Sequence, residues 1–363
     1  MNILHSSSKY PLGIDISDKS IKLVQLARHH HAITIQTAGV INVPKDFIVQ
    51  GEIKNLKGVA ELIKTLKTKM MFGKISSNEV IASLSEEKTF VKLIKINSTK
   101  KDVENVIEQE IEKNIPFKLS DVNYDWQFIA QDKISQYILI GVVPKNITSQ
   151  YYEVLRVAEL LPLALEPEPL AISRCILPMN NEPEKTTIIL KIGATYSSFM
   201  AYAAKSILFT ISIPISESNI AKITAVELNI PWQQKENETA ATSAAKKSPS
   251  TAKEIWENKM EQALTYLKMN YPQYAEIENI YLCYDSGSAA SLPKIISKKF
   301  HIPAIQADVF INLNQQTNVM KKYLTKTDIE AQKKAQHHIK PQLAVSLATA
   351  IGLALREIYY NDF

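Results

Sequence analysis

Two short stretches of the chain carry the residue types from which an anion grip could be built. The first is Gly13-Ile14-Asp15-Ile16-Ser17-Asp18-Lys19-Ser20-Ile21-Lys22, where a polar turn at Ser17-Asp18 separates segments that alternate apolar and polar residues. The second is Lys191-Ile192-Gly193-Ala194-Thr195-Tyr196-Ser197-Ser198, after the apolar run Thr186–Leu190. Such turns can offer backbone N–H groups and hydroxyls to a phosphate, or they can be ordinary β-hairpin turns. Both readings stand on the residues alone. A third polar turn, Asp285-Ser286-Gly287-Ser288, follows another apolar run. Glu168 is the one candidate catalytic carboxylate, and its alternative is a solvated surface group. No metal site is expected: Cys175 and Cys283 lie in no Cys-x-x-Cys or Cys/His spacing. Serine-protease and Rossmann constellations are missing as well.

The 363 residues suffice for two domains sharing a cleft. Hydrophobic residues make up 45% and charged residues 22%, an ordinary globular composition. The net charge of +5 is small for this length and spread along the chain, which reads as a solvated surface rather than a nucleic-acid or lipid footprint. Apolar surroundings for both cysteines imply free thiols in a reducing compartment. The first residues lack the apolar core of a signal peptide, and the longest apolar run, Leu343–Leu355, is too short to span a bilayer. A soluble, cytoplasmic protein is expected, with membrane contact only through a partner.

Hydrophobic periodicity places the elements that must hold these turns. Tyr10–Asp15 and Lys19–Leu26 read as a hairpin, Ala32–Val43 as a third strand and Val59–Met70 as a helix. Glu79–Leu84 and Phe90–Ile96 read as strands, Lys101–Asn114 as a helix stopped by Pro116, then Tyr124–Ala130 and Gln136–Val143 as strands and a helix near Ser149–Leu161. From Thr186 the opening pattern of strand, turn, strand, strand recurs through Phe199–Tyr202 and Ile207–Ile215, which suggests an internal duplication. Gln233–Lys253 is low-complexity and reads as a flexible insertion ahead of a helix at Ile255–Met269. Ile280–Tyr284 is a buried strand, and Pro341–Tyr359 one long apolar helix whose small residues suit close packing.

In this order the motifs resemble the actin-like ATPase superfamily. Asp15, Ser20 and Lys22 match its D-I-G-S-S-S-V-K turn, with the glycine position taken by Ile16; Lys191–Ser198 is similar to D-I-G-A-x-x-T with its metal-holding aspartate replaced by Lys191. Ile213-Pro214-Ile215-Ser216-Glu217 resembles I-P-I-G-G with both glycines lost, and Cys283–Pro293 keeps one of three adenosine-loop glycines. Within that superfamily, Ile115-Pro116-Phe117-Lys118-Leu119 running into Val122–Trp126, the stretch Leu165–Ala171 and Ala350-Ile351-Gly352-Leu353-Ala354-Leu355-Arg356 resemble the PilM-like type IV pilus assembly proteins of the FtsA/PilM type.

The resemblance implies an α/β, actin-like (ribonuclease H-like, duplicated) two-lobed fold with a 1C subdomain of SHS2 type. Subdomain 1A would be residues 1–77 with 163–185 and 345–363, 1C 78–162, 2A 186–213 and 279–344, and 2B 214–278 with the insertion at 233–253. It implies a degenerate nucleotide cleft at Asp15, Ser17, Ser20, Lys22, Lys191, Gly193, Ala194, Thr195, Gly287 and Ser288. There Asp15 would pair with Lys191, and ATP hydrolysis would be impaired or lost. No cofactor is expected, with ATP and Mg²⁺ binding the alternative. The implied function is a cytoplasmic scaffold at the inner face of the membrane, binding the N-terminal tail of a PilN-like bitopic protein in a groove lined by Ile115, Pro116, Phe117 and Trp126, with other pilus platform proteins as further partners. An active ATPase driving subdomain closure is the other reading. An FtsA-like protein would need a C-terminal amphipathic membrane helix, which Arg356–Phe363 does not supply.

Overall fold

A computed structural model describes residues 10–29, 32–97, 103–115, 117–179, 184–227, 248–284, 291–314, 339 and 341–360. Pro116, Gly287 and Ser288 lie outside these described residues, as does most of the expected insertion. In chain order the first elements are β1 (Leu12–Ile16), β2 (Ser20–His29), β3 (Ala32–Asn42), β4 (Ile48–Val49), β5 (Glu52–Ile53), α1 (Leu56–Thr68) and β6 (Glu79–Leu84). Next come β7 (Phe90–Asn97), α2 (Val103–Asn114), β8 (Val122–Gln131), β9 (Ser135–Pro144), α3 (Lys145–Val157), β10 (Leu161–Pro167) and α4 (Glu168–Ile176). The remainder are β11 (Thr186–Ile192), β12 (Ser197–Ala203), β13 (Ser206–Ile213), α5 (Glu217–Glu227), α6 (Pro249–Asn270), β14 (Ile277–Tyr284), α7 (Leu292–Phe300), β15 (Ala304–Gln306) and α8 (Ile311–Asn314), with the helix Ala348–Tyr360 (α9) near the C-terminus.

The chain divides into two compact units, one of Met1–Ser85, Ser149–Glu182 and Asp308–Phe363, the other of Glu86–Thr148 and Pro183–Ala307. In the first unit a five-stranded sheet runs β10-β6-β1-β2-β3. Here β1 pairs antiparallel with β2 and parallel with β6, and β6 pairs parallel with β10. Every residue of β1 is buried, as a central strand covered on both faces requires. Helix α1 begins where the Asn55 side chain accepts the Gly58 N–H at 2.9 Å, and it buries Val59, Ala60, Ile63 and Leu66.

Helix α9 lies against β1 at backbone distance. A Cβ on Gly13 would stand 2.0 Å from the Ala350 carbonyl oxygen, and one on Gly352 would stand 1.8 Å from that of Ala171 in α4. The expected helix over Pro341–Tyr359 is in fact broken. A turn of α-helix, Pro341–Ala344, passes through a 3₁₀ turn, Val345–Leu347, before α9 begins. The apolar run is continuous across the break, so periodicity alone did not reveal it.

In the second unit an eight-stranded sheet runs β15-β14-β11-β12-β13-β7-β9-β8. Its first five strands repeat the order and sense of the first unit's sheet. The hairpin β11-β12-β13 is antiparallel, β14 pairs parallel with β11, and β15 parallel with β14. The expected duplication is thus realised strand for strand. The meander β7-β9-β8 joins this sheet through one registered pair, Phe209 with Lys92. Helix α2 covers it, burying Ile107 and Ile111 with Ile115 against Ile94, Ile96, Ile138 and Ile140. Pro249–Lys253, expected within the flexible insertion, is the first turn of α6. Ser248 caps it by accepting the Thr251 N–H at 3.2 Å, with Pro249 at the first helical position.

Candidate functional site

The first turn closes on itself. Ser17 Oγ donates to the Ser20 carbonyl at 2.8 Å, and the Ser17 N–H donates to the same oxygen at 3.1 Å. Ile16 is not the turn's odd residue: it is the last residue of β1, buried and paired with Ile21, so its β-branched side chain sits where a strand favours it. The turn opens at Ser17. Asp18 does not face outward as a free carboxylate either. It accepts the N–H groups of Gln50 at 2.7 Å and Gly51 at 2.9 Å, which stabilises the positive-φ turn between β4 and β5.

Asp15 projects from β1 into a buried polar cluster. Its Oδ2 lies 3.4 Å from Lys22 Nζ, and its Oδ1 accepts a hydrogen bond from Ser83 Oγ at 3.0 Å. Strand pairing dictates this, because Asp15 and Lys22 are opposite each other in the β1–β2 register. Both carboxylate oxygens therefore have partners within the first unit, one of them already a cation. A divalent ion at Asp15 would have to displace the Lys22 ammonium from a nearly dry site. Among the described residues no group of three or more His, Cys, Asp or Glu side chains could hold a metal ion. With Lys22 as its partner, Asp15 as described does not fit Mg²⁺.

The second turn is tighter. Gly193 N–H donates to the Tyr196 carbonyl at 2.9 Å, and a Cβ on Gly193 would stand 2.7 Å from that same oxygen, so a side chain here would deform the turn. Ala194 and Thr195 sit at its half-buried tip. Lys191, in the second unit, holds its ammonium 5.9 Å over the Tyr196 ring. The turn is braced by the Glu217 N–H, which donates to the Gly193 carbonyl at 2.8 Å, and by Ser197 Oγ on the Ile215 carbonyl at 2.7 Å. Ser216, at a position where the resemblance implies glycine, is the N-cap of α5 and accepts the Asn219 N–H at 3.3 Å.

Glu168 is not a surface group. It is buried at the start of α4 and accepts a hydrogen bond from Thr349 Oγ1 at 3.2 Å. Its neighbour Glu166 holds Arg174 at 2.7 Å and Arg356 at 3.4 Å, tying β10, α4 and α9 together. Sequence reasoning passed over this pair of arginines, although the flanking prolines of Leu165–Ala171 hinted at a fixed backbone.

The candidate partner residues separate by burial. Ile115 belongs to the core under α2 and is 8% exposed, whereas Phe117 is 52% and Trp126 40% exposed. Phe128, which sequence reasoning missed, is 49% exposed and stands two residues from Trp126 on the same face of β8. Register puts Trp126 opposite Ile140 and Phe128 opposite Ile138, both core residues beneath α2. The two rings thus continue the covered face beyond the helix. β8 is the last strand of its sheet, and its outer edge has no strand partner among the described residues. No described helix is long and apolar enough to cross a membrane.

A family model described as Type IV pilus assembly protein PilM matches residues 13–358. Among solved structures, a PilM-PilN type IV pilus biogenesis complex is similar over 96% of this chain and 98% of its own, with 18% identity and a TM-score of 0.68. The ethanolamine utilization protein EutJ from Carboxydothermus hydrogenoformans matches 95% of this chain and 89% of its own at 14% identity and a TM-score of 0.49. MreB5 of Spiroplasma citri bound to AMPPNP matches 92% and 99% at 13% identity and a TM-score of 0.41. The fold is therefore the α/β, actin-like one that the motifs implied. With the family model covering almost the whole described chain, the protein belongs to the PilM family of type IV pilus assembly proteins.

Proposed function

We propose that this PilM-family chain is a scaffold at the cytoplasmic face of the inner membrane, capturing the cytoplasmic tail of a PilN-like single-span protein and turning over no ATP. The observation that carries the reading is the open edge of β8 with Trp126 and Phe128 exposed on one side of it. An extended tail can add to such an edge through main-chain hydrogen bonds, with alternate side chains seated on the aromatic rings. Phe117, in the loop leading to β8, is a further exposed aromatic of this unit. The solved complex of a family member with PilN supports the partner class. The cleft supports the other half of the reading. Lys22 occupies the Asp15 carboxylate, Ser216 caps a helix, and Lys191 brings a positive charge where the superfamily keeps a metal ligand.

Titrating the full chain with N-terminal tail peptides of neighbouring single-span membrane proteins tests the first half. One of them binds, and Trp126→Ala with Phe128→Ala weakens it at least tenfold; binding unchanged by the double variant overturns the assignment to β8. Calorimetry with ATP and Mg²⁺ tests the second half. Metal-dependent binding at micromolar concentration would restore the ATPase reading.

A further inference from the structure

Three aromatic side chains stand in a row on β8. Tyr124, Trp126 and Phe128 lie opposite Val142, Ile140 and Ile138 in the β8–β9 register, so all three share the face that α2 covers. Tyr124 packs at the margin of the core there, while Trp126 and Phe128 are exposed. The row follows the outer edge of the sheet.

Helix α2 sets negative charge beside this row. Glu108 Oε1 accepts the Tyr124 hydroxyl at 2.6 Å, and Glu104, one turn earlier on the same side of the helix, acts on the same phenol. The hydrogen bond to Glu108, then burial, then the charges of Glu108 and Glu104 push Tyr124 up to about 12. Neither Glu104 nor Glu108 has an ion-pair partner among the described residues. Lys113 on the same helix is taken by Glu110 at 2.7 Å, and the exposed Lys118 before β8 pairs with neither. A third carboxylate sits at the edge itself. Asp125 Oδ1 accepts the Trp126 N–H at 2.8 Å, so this amide points away from β9 and is held by a local bond that an incoming carbonyl can replace.

A strand added to β8 therefore lays its alternate side chains over aromatic rings and beside fixed negative charge. Apolar side chains suit Trp126 and Phe128. Beside Tyr124 an apolar side chain would desolvate carboxylates without compensating them. A Lys or Arg there meets the carboxylates and rests its charge near the phenol ring. Cytoplasmic segments flanking a membrane span are rich in such residues.

We propose that the tail captured at β8 is basic, with a Lys or Arg beside Tyr124 in reach of Glu104 and Glu108, and apolar residues two and four positions away over Trp126 and Phe128. This rests on β8 as the docking edge and adds the charge and spacing that select the partner. A tail with an acidic residue at that position is rejected by the same carboxylates.

Panning a phage-displayed library of random ten-residue peptides on the immobilised full chain tests this. Bound peptides carry Lys or Arg two and four residues from apolar positions, at least fivefold enriched over the input. Glu104→Gln with Glu108→Gln keeps an acceptor for Tyr124 but removes both charges; it abolishes the basic preference and leaves the apolar one. Glu261→Gln, at an exposed position on α6, changes neither. No enrichment, enrichment without Lys or Arg, or a basic preference that survives the double glutamine variant each overturns the proposal. Peptide binding left intact by Trp126→Ala with Phe128→Ala refutes the edge itself rather than its charge. A chain that sediments as a dimer, dissolved by that aromatic double variant, gives the edge to a second copy and overturns the proposal too.

Discussion

Lys22 and Asp15 form an ion pair inside the protein, with side chains only 7% and 3% exposed. Removing one partner of such a pair leaves a charge without compensation, whereas removing both charges need not destabilise. Lys22→Met is expected to cost about 3 kcal/mol or more in urea unfolding. The double variant Asp15→Asn/Lys22→Met recovers at least half of that. A double variant as unstable as the single one would show that shape, not charge, holds this site together.

The two glycines at which α9 meets its neighbours, Gly13 on β1 and Gly352 within α9 against α4, are expected to tolerate no side chain. Gly13→Ala and Gly352→Ala each drive a methyl into backbone oxygen, at 2.0 Å and 1.8 Å. A loss of about 3 kcal/mol, or failure to fold, is expected. Gly39→Ala is the contrast. There the new methyl meets the flexible ends of Leu66 and Met70 at 2.8 Å and 2.9 Å, and a cost near 1 kcal/mol is expected. Equal melting temperatures for all three would contradict the backbone-contact argument.

Asn312 caps α4 from a distance in sequence. Its Nδ2 reaches the carbonyl oxygens of Arg174 at 2.8 Å and Leu177 at 2.7 Å, and its Oδ1 accepts the Met179 N–H at 3.2 Å. Asn312→Ala orphans these buried groups, at about 2 kcal/mol. Asn312→Asp is expected to be worse, because it sets a carboxylate oxygen against the carbonyls. Amide exchange at Met179 should quicken in both.

Tyr124 gives an alkaline signature. The hydrogen bond it donates to Glu108 Oε1 at 2.6 Å, helped by burial and by the charges of Glu108 and Glu104, pushes its phenol from 10.0 up to about 12. Because the folded state holds this proton more tightly, the associated stability is complete below pH 10 and is lost as the pH climbs through about 12. Tyr124→Phe should flatten that part of the stability profile and remove the late step from a phenolate absorbance titration.

Much of this architecture was legible. β6 ends where the periodicity ends it, and the duplicated hairpins follow from two apolar–turn–apolar patterns in the same order. What escaped was set by distant contacts. β10 holds Pro162 and Pro167, which argue against a strand until its place at a sheet edge is known. The Phe209–Lys92 joint pairs residues from separate chain segments, and nothing local in either predicts it. At the site, the Asp15–Lys22 partnership was hidden in plain spacing. The register of one hairpin aligns the two residues, yet the family pattern drew attention to Lys191 instead.

The tight seat of α9 on β1 also sets an order of events during synthesis. The second unit needs nothing after Ala307, so all of its strands can have paired while the ribosome is still making the last segment. The first unit cannot finish then. The face of β1 at Gly13 stays bare until Ala350 and Ala354 emerge, more than three hundred residues after the strand itself was made. A nascent chain of this protein therefore carries an uncovered apolar sheet for most of its time on the ribosome. That sheet is where a holding chaperone would be needed, and where a truncated product would aggregate.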